Sequence, residues 1–270
     1  PVQEGDYIDE YGKNHGQGIE IDGVVWAPVN CGYHVTDFKY GKLYQWGRKY
    51  GQGYESDVHN VPGPVALFEG QVKEKEDCFY TIGSAPYDWL DYPCGNLWNQ
   101  GNEENPVKSE YDPCPDGWRV PTYATLKQLT QNHSSWTENS KGEAGYWFSG
   151  AVEYATTAPQ LFLPASGYRN NDGSIYVPFS SGHYWSSGLN VFFDQNGVGS
   201  NAEYCVRGHS IRCVKDDSVL ITVNSIVLDK SSITLGVGGT VSLTATITPS
   251  NANHQSAYWW SEDESVATVD

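Results

Sequence analysis

Six cysteines, at positions 31, 78, 94, 114, 205 and 213, are the residues with the most chemical potential, and none is spaced as Cys-x-x-Cys. Thiol oxidoreductase chemistry needs two reactive sulfurs close together with a path to substrate. Cys205 and Cys213, eight apart, are the nearest pair. The same spacing gives a zinc ribbon little support. An even count in a Gly-, Asn- and Tyr-rich chain fits an exported protein with disulfides. Six cysteines allow fifteen pairings, and the sequence alone does not choose among them. Buried free thiols are the alternative. Other nucleophiles fare no better: there is no Gly-x-Ser-x-Gly element and no His-Glu-x-x-His. The adjacent acids Glu103 and Glu104 sit among polar residues and read as a solvated loop. The expectation is a protein without an active site.

Sugar recognition asks for different side chains. Flat rings cover the C–H face of a pyranose, and amides and carboxylates bind its hydroxyls. Two clusters supply both. One is Tyr87-Asp88-Trp89-Leu90-Asp91-Tyr92 with Asn96-Leu97-Trp98-Asn99, in which Trp89, Tyr92 and Trp98 are the ring candidates. The other is Tyr168-Arg169-Asn170-Asn171-Asp172 with Tyr176, in which Tyr168, Asn170, Asn171, Asp172 and Tyr176 are the candidates. The competing role for the rings is packing beneath their own loops.

The elements that must carry these residues are short. With 270 residues the chain holds one large domain or two ordinary ones. A formal charge of −17 excludes roles that begin with phosphate neutralisation, so no nucleic-acid partner is expected. No apolar run is long enough for a spanning helix. The first residue is not Met and no apolar leader follows it, so the chain reads as mature or trimmed. Twenty-nine Gly and 14 Pro mean many turns, while ten Trp and 19 Tyr argue against disorder. One helix is expected after Pro121, with Thr122 as N-cap, Leu126 and Leu129 as its apolar stripe, and Asn132-His133-Ser134 at its end. A hairpin is expected over 189–204, with Val191 and Phe193 on one side and Asn196-Gly197 as the turn. A further strand is expected over 210–214. The run Lys73-Glu74-Lys75-Glu76-Asp77 reads as a solvated turn.

Texture changes near Lys215-Asp216-Asp217-Ser218, which sets expected domains at 1–216 and 217–270. From Val241 to Thr248 apolar residues hold odd positions and hydroxyls even ones; Ile233, Leu235 and Val237 alternate likewise. Period two means strands with one face in a core. Gly238-Gly239 and Pro249-Ser250-Asn251 are turn chemistry between them. Ile226 to Leu235, Gly238 to Pro249, Trp260-Ser261 and Glu264 to Asp270 together resemble a bacterial Ig-like domain of group 2. The family pattern goes on past Asp270, so this domain is expected to be incomplete, with an edge that a neighbouring strand could pair.

A second resemblance covers the larger region. Its residues are Gly23 to Asn30, Tyr40 to Gly47, Asp112 to Thr122, Leu163 to Arg169, His183 to Ser187 and Ser210 to Asp216. In that order they resemble the Fibrobacter succinogenes major paralogous domain (FISUMP) family, found on exported, often lipid-anchored bacterial surface proteins. The same segments are more distantly similar to formylglycine-generating enzymes. Both resemblances imply an α+β, C-type-lectin-like fold with few helices and long loops, followed here by a partial all-β Ig-like sandwich. They place Cys114 just before the helix and Cys213 in the closing strand, and a Cys114–Cys213 bridge is favoured. Such a bridge closes a loop of about 100 residues, for about 4–5 kcal/mol on chain-entropy models. Cys78 with Cys94 and Cys31 with Cys205 are the remaining pairs. Trp118 and Trp185 are expected in the core, and Arg119 on a carboxylate.

Cys213 matches the closing strand of the formylglycine-generating family and neither of its active cysteines. Trp185 is followed by Ser186-Ser187, and Glu104-Asn105-Pro106 has the wrong order for a calcium-mediated lectin site. No cofactor is implied. Calcium stays open only at Asn171-Asp172-Gly173, which suits a turn equally well. Asp217-Ser218-Val219 resembles an O-glycosylation sequon. The expectation is an extracellular protein on a bacterial surface, without a membrane span and compatible with an upstream lipid anchor. It would bind a glycan or a protein. A structural subunit of a surface assembly and a thiol oxidase are the alternatives.

Overall fold

The computed structural model describes residues 3, 5–34, 40–54, 58–92, 95–131, 134–138, 143–149, 160–176, 180–217, 223–248 and 259–269. Cys94, Asn132-His133, Ser218-Val219 and Pro249-Ser250-Asn251 lie outside them. The chain divides into two compact units, Pro1–Ser218 and Val219–Asp270.

The first unit is built from short strands in several small sheets, with two α-helices among the described residues, Leu67–Gly70 and Tyr123–Thr130. The longer helix starts where the side chain of Thr122 accepts the Thr125 N–H at 3.2 Å. Glu103 adds to this cap, its carboxylate accepting the N–H groups of Ala124 at 2.8 Å and Tyr123 at 3.3 Å. Instead of standing free in a solvated loop, Glu103 satisfies the orphan donors of a helix 20 residues away. Leu126 and Leu129 bury the inner stripe of the helix.

Beneath the helix two three-stranded antiparallel sheets share one core. One orders Gln160–Pro164, Ala144–Ser149 and Ser134–Glu138; the other orders Ser181–Trp185, Asn190–Asp194 and Gly197–Asn201. Phe148, Leu161, Leu163, Tyr184, Val191 and Phe193 meet there. Asp194 pairs with Gly197, so the hairpin turn is Gln195-Asn196, one residue earlier than the sequence implies. The Asp194 carboxylate accepts the Asn196 N–H at 2.7 Å and locks that register.

A four-stranded sheet orders Ile19–Ile21, Val24–Trp26, Val214–Lys215 and Trp118–Arg119. The expected strand over 210–214 thus contributes only its last residue to a ladder. Ser210 makes an isolated bridge to Tyr184, and Arg212 is spent elsewhere. Another four-stranded sheet orders Ile175–Tyr176, Tyr168–Arg169, Gly208–His209 and Tyr44–Gln45.

With so little ladder, side chains close the loops. Arg48 is fully buried and donates to the carbonyls of Gly70, Lys75 and Cys78. Arg212 donates to Ala27 O, Phe162 O and the Asn30 side chain. Arg169 donates to Gly53 O and Gly173 O. Each guanidinium satisfies carbonyls that no strand partner reaches. Burial holds Arg48 and Arg212 down to about 10, so both stay charged at neutral pH.

In the second unit Ser225–Leu228 pairs antiparallel with Ala245–Thr248. The alternation over 233–237 and 241–244 does not become ladder in the described residues. Ile226, Val227, Leu228, Leu235, Val237 and Val266 are exposed.

Candidate ligand surface

The Asp112–Thr122 segment shows how the scaffold is pinned. Asp112 is buried, and its carboxylate accepts from Cys114 N–H, Val120 N–H and the Lys108 ammonium, each at 2.8 Å. Burial pushes its carboxyl up, against the pull of Lys108. That grip sets Cys114 beside Cys213, and the two form a disulfide with Cα atoms 5.9 Å apart. Arg119 reaches Asp216 at 3.6 Å. Trp118 and Trp185 pack in the same buried cluster.

The other two expected bridges are corrected. Cys31 and Cys205 are free thiols; Cys31 is buried in one cluster and Cys205, partly buried, packs against another. Cys78 is also free, and Cys94 lies outside the described residues. Cys31 is placed by Cys114–Cys213, since its sulfur lies within 4.8 Å of both bridge sulfurs.

Of the first aromatic cluster, Trp89 and Trp98 are interior residues. The Trp89 indole donates to Trp46 O at 2.7 Å and its ring stacks on Tyr80 at 6.0 Å. Gly70 makes room for it, because a Cβ there would strike the ring. Trp98 donates to Arg48 O at 3.1 Å. Both indoles are consumed by loop carbonyls, so neither ring faces a ligand. Tyr92 is 77% exposed.

The second cluster does assemble. Tyr168 and Tyr176 are cross-strand partners, so their rings share one face, with centroids 5.2 Å apart. The turn between them is made by Gly173 at φ +86 and by Asp172, whose carboxylate accepts from Ser174 N–H at 2.9 Å and Ser174 Oγ at 2.6 Å. Those hydrogen bonds from Ser174 hold the Asp172 carboxyl below its usual range. Asp172 is therefore a turn residue here. Asn171 is likewise engaged, donating to Ile82 O at 2.9 Å, whereas the Oδ1 of Asn170 is buried without a partner.

Two residues that sequence reasoning passed over extend the face. The Arg207 guanidinium lies over Tyr168 at 5.1 Å and over Tyr204 at 5.3 Å, and pairs with Glu203 at 2.8 Å. Tyr204 then meets Tyr87 at 4.8 Å. The result is a continuous strip, Tyr176–Tyr168–Arg207–Tyr204–Tyr87. Tyr176 is 52% and Tyr204 46% exposed. The signal was present in Glu203-Tyr204-Cys205-Val206-Arg207, an acid and a base at i,i+4 flanking a tyrosine.

A fully buried His209 and a partly buried His183 back the strip. His183 lies 4.6 Å from Tyr168 and 5.2 Å from His209, which stacks on Trp185 at 4.3 Å. Burial, reinforced by Arg207, lowers His183 to about 4. Burial and the neighbouring His183 take His209 well below its ordinary value. Both rings are neutral at pH 7, so the strip's positive charge is that of Arg207. Away from this face, the hollow between Ile21, Trp26, Thr125 and Leu129 offers about 10 Å³, room for one water and no substrate.

The fold is therefore sheet-rich with few helices, carrying an Ig-like tail. Residues 222–270 match the family model of the bacterial Ig-like domain (group 2). No curated protein and no solved structure matches the chain. Among the described residues no helix is long and apolar enough to cross a membrane.

Proposed function

We propose that this protein is a non-enzymatic binding module of a bacterial cell surface, presenting the Tyr176–Tyr168–Arg207–Tyr204–Tyr87 strip to an extracellular glycan. The finer reading of the first unit is a C-type-lectin-like domain of the FISUMP type, displayed beside an Ig-like spacer. The observation that carries the proposal is the strip itself. Four tyrosine rings and a ring-clamped guanidinium line up where rings in a loop-rich domain would otherwise turn inward. Tyrosine faces suit pyranose C–H surfaces, and the Arg207–Glu203 pair supplies donors and acceptors for adjacent hydroxyls.

The state of the thiols supports a role without bond-breaking chemistry. Burial pushes Cys31 and Cys205 up to about 12 and raises Cys78, so none of the three is a thiolate at neutral pH. The Ig-like match fits an extracellular location.

A glycan array and a mucin pull-down with the intact chain test the proposal. Binding that falls at least tenfold in Tyr176→Ala and Tyr204→Ala, with unchanged melting temperature, is expected. Blank results in both assays from correctly folded protein would sink it.

A further inference from the structure

Cys31, Cys114 and Cys213 form a three-sulfur cluster of which the bridge uses only two. Their Sγ atoms all lie within 4.8 Å of one another, and all three residues are buried. Backbone hydrogen bonds hold the segments in place: Cys31 N–H donates to Ile211 O and Ala27 N–H to Cys213 O, both at 2.9 Å. The third sulfur is oriented too. Tyr44 donates its hydroxyl to Cys31 Sγ at 3.3 Å, and the Cys31 thiol donates to Pro113 O, next to Cys114, at 3.3 Å.

We propose that Cys31 is an alternative partner for either half of the Cys114–Cys213 clamp, so that the bridge can move among three cysteines without leaving the core. The step is thiol–disulfide exchange. The Cys31 sulfur, having lost its proton, attacks Cys114 Sγ; a Cys31–Cys114 bond forms, the Cys114–Cys213 bond breaks, and Cys213 takes up the proton. Attack on Cys213 Sγ releases Cys114 in the same way. One disulfide and one thiol stand on each side, so no oxidant is needed. Loop-closure entropy grows only with the logarithm of loop length, so it does not strongly favour one bridge over the others. The packing around the site holds the choice. The attacking form is the thiolate, and burial keeps Cys31 near 12, so exchange is slow at neutral pH and quickens with alkalinity. The clamp thus has a spare: oxidation of any two of the three closes the scaffold at the same point.

Disulfide mapping of two single variants, Cys213→Ser and Cys114→Ser, each folded with oxidised and reduced glutathione, tests this. The expected bridges are Cys31–Cys114 in the first and Cys31–Cys213 in the second. A folded Cys213→Ser protein with Cys31 and Cys114 both alkylatable after denaturation would overturn the proposal. If neither variant folds, the wild-type chain decides. It is incubated without reductant at about pH 8 and about pH 10, acid-quenched and mapped. Bridges containing Cys31 should appear about tenfold faster per pH step of one. Recovery of Cys114–Cys213 as the sole bridge of the cluster at both values would also overturn it.

Discussion

Leu126 in the first unit and Val237 in the second are both apolar residues in cleanly periodic segments, yet one is fully buried and the other fully exposed. The difference between their surroundings is instructive. Leu126 projects from a doubly capped helix onto two sheets, and its neighbours Phe148, Leu161 and Phe193 come from three separate strands. Val237 belongs to a segment whose alternation has strand periodicity but no opposing layer among the described residues. Amphipathic pattern creates a face; burial needs a second face to meet it. The first unit secures that meeting with devices that are not periodic at all: a disulfide, a buried carboxylate and three buried guanidiniums.

The sharpest way to break the contrast is to remove the clamp. The double variant Cys114→Ser with Cys213→Ser should cost the first unit about 4–5 kcal/mol, from the loop that the bridge closes. Thermal unfolding followed by near-UV circular dichroism should show the aromatic transition drop sharply. A drop of only a degree or two would mean that the loops hold without it. Leu126→Ala should cost about 3 kcal/mol in chemical denaturation, because the helix cannot collapse into the space left between two sheets.

The imidazole pair sharpens the comparison by pH. His183 is neutral in the fold, with its value lowered to about 4, but takes a proton in the unfolded chain below its ordinary 6.5. The unfolded state therefore binds more protons between those values. Stability is full above pH 6.5 and falls as pH drops toward 4, by about 3 kcal/mol for His183 alone. Denaturation midpoints measured across that range should fall in the wild-type chain and fall less in His183→Phe. An unchanged slope in the variant would place the acid sensitivity elsewhere. The smallest effect belongs to the second unit: Val237→Ala should move stability by less than about 0.5 kcal/mol. A larger loss, read by the same denaturation, would show that this residue is covered in solution.

Much of the local structure was legible in advance. Thr122 at the head of an apolar-striped segment implies a capped helix, and one forms at Tyr123–Thr130. Val191 and Phe193 alternate, and both are buried in a hairpin strand. Asn171-Asp172-Gly173 suits a turn as well as a cation site, and in the fold a turn there brings Tyr168 and Tyr176 together. These features depend on neighbours within a few positions, where side-chain period, capping and turn preference act directly.

The roles of individual rings and sulfurs were not legible in this way. Trp89 and Tyr176 stand in equally polar, turn-rich sequence, yet Trp89 is enclosed by Gly70, Tyr80 and Arg48 while Tyr176 lies on an outer strand. Nothing near position 89 announces that a glycine 19 residues upstream leaves a slot for its ring. Likewise the partner of Cys31 depends on where Ile211 and Pro113 bring their carbonyls.

The amino-acid sequence by itself determined a mostly extended, turn-rich chain with one substantial helix, a change of character near position 217, and a strongly acidic surface. Those are consequences of residue type and of short-range period. Only the tertiary structure decided which aromatics became core, that Arg207 would lie between Tyr168 and Tyr204, and that Cys31 would rest unbonded beside a finished bridge. Each of these depends on contacts between residues far apart in the chain, and the energy that selects them comes from enclosing a ring or pairing a buried polar group, which exists only once the loops have closed.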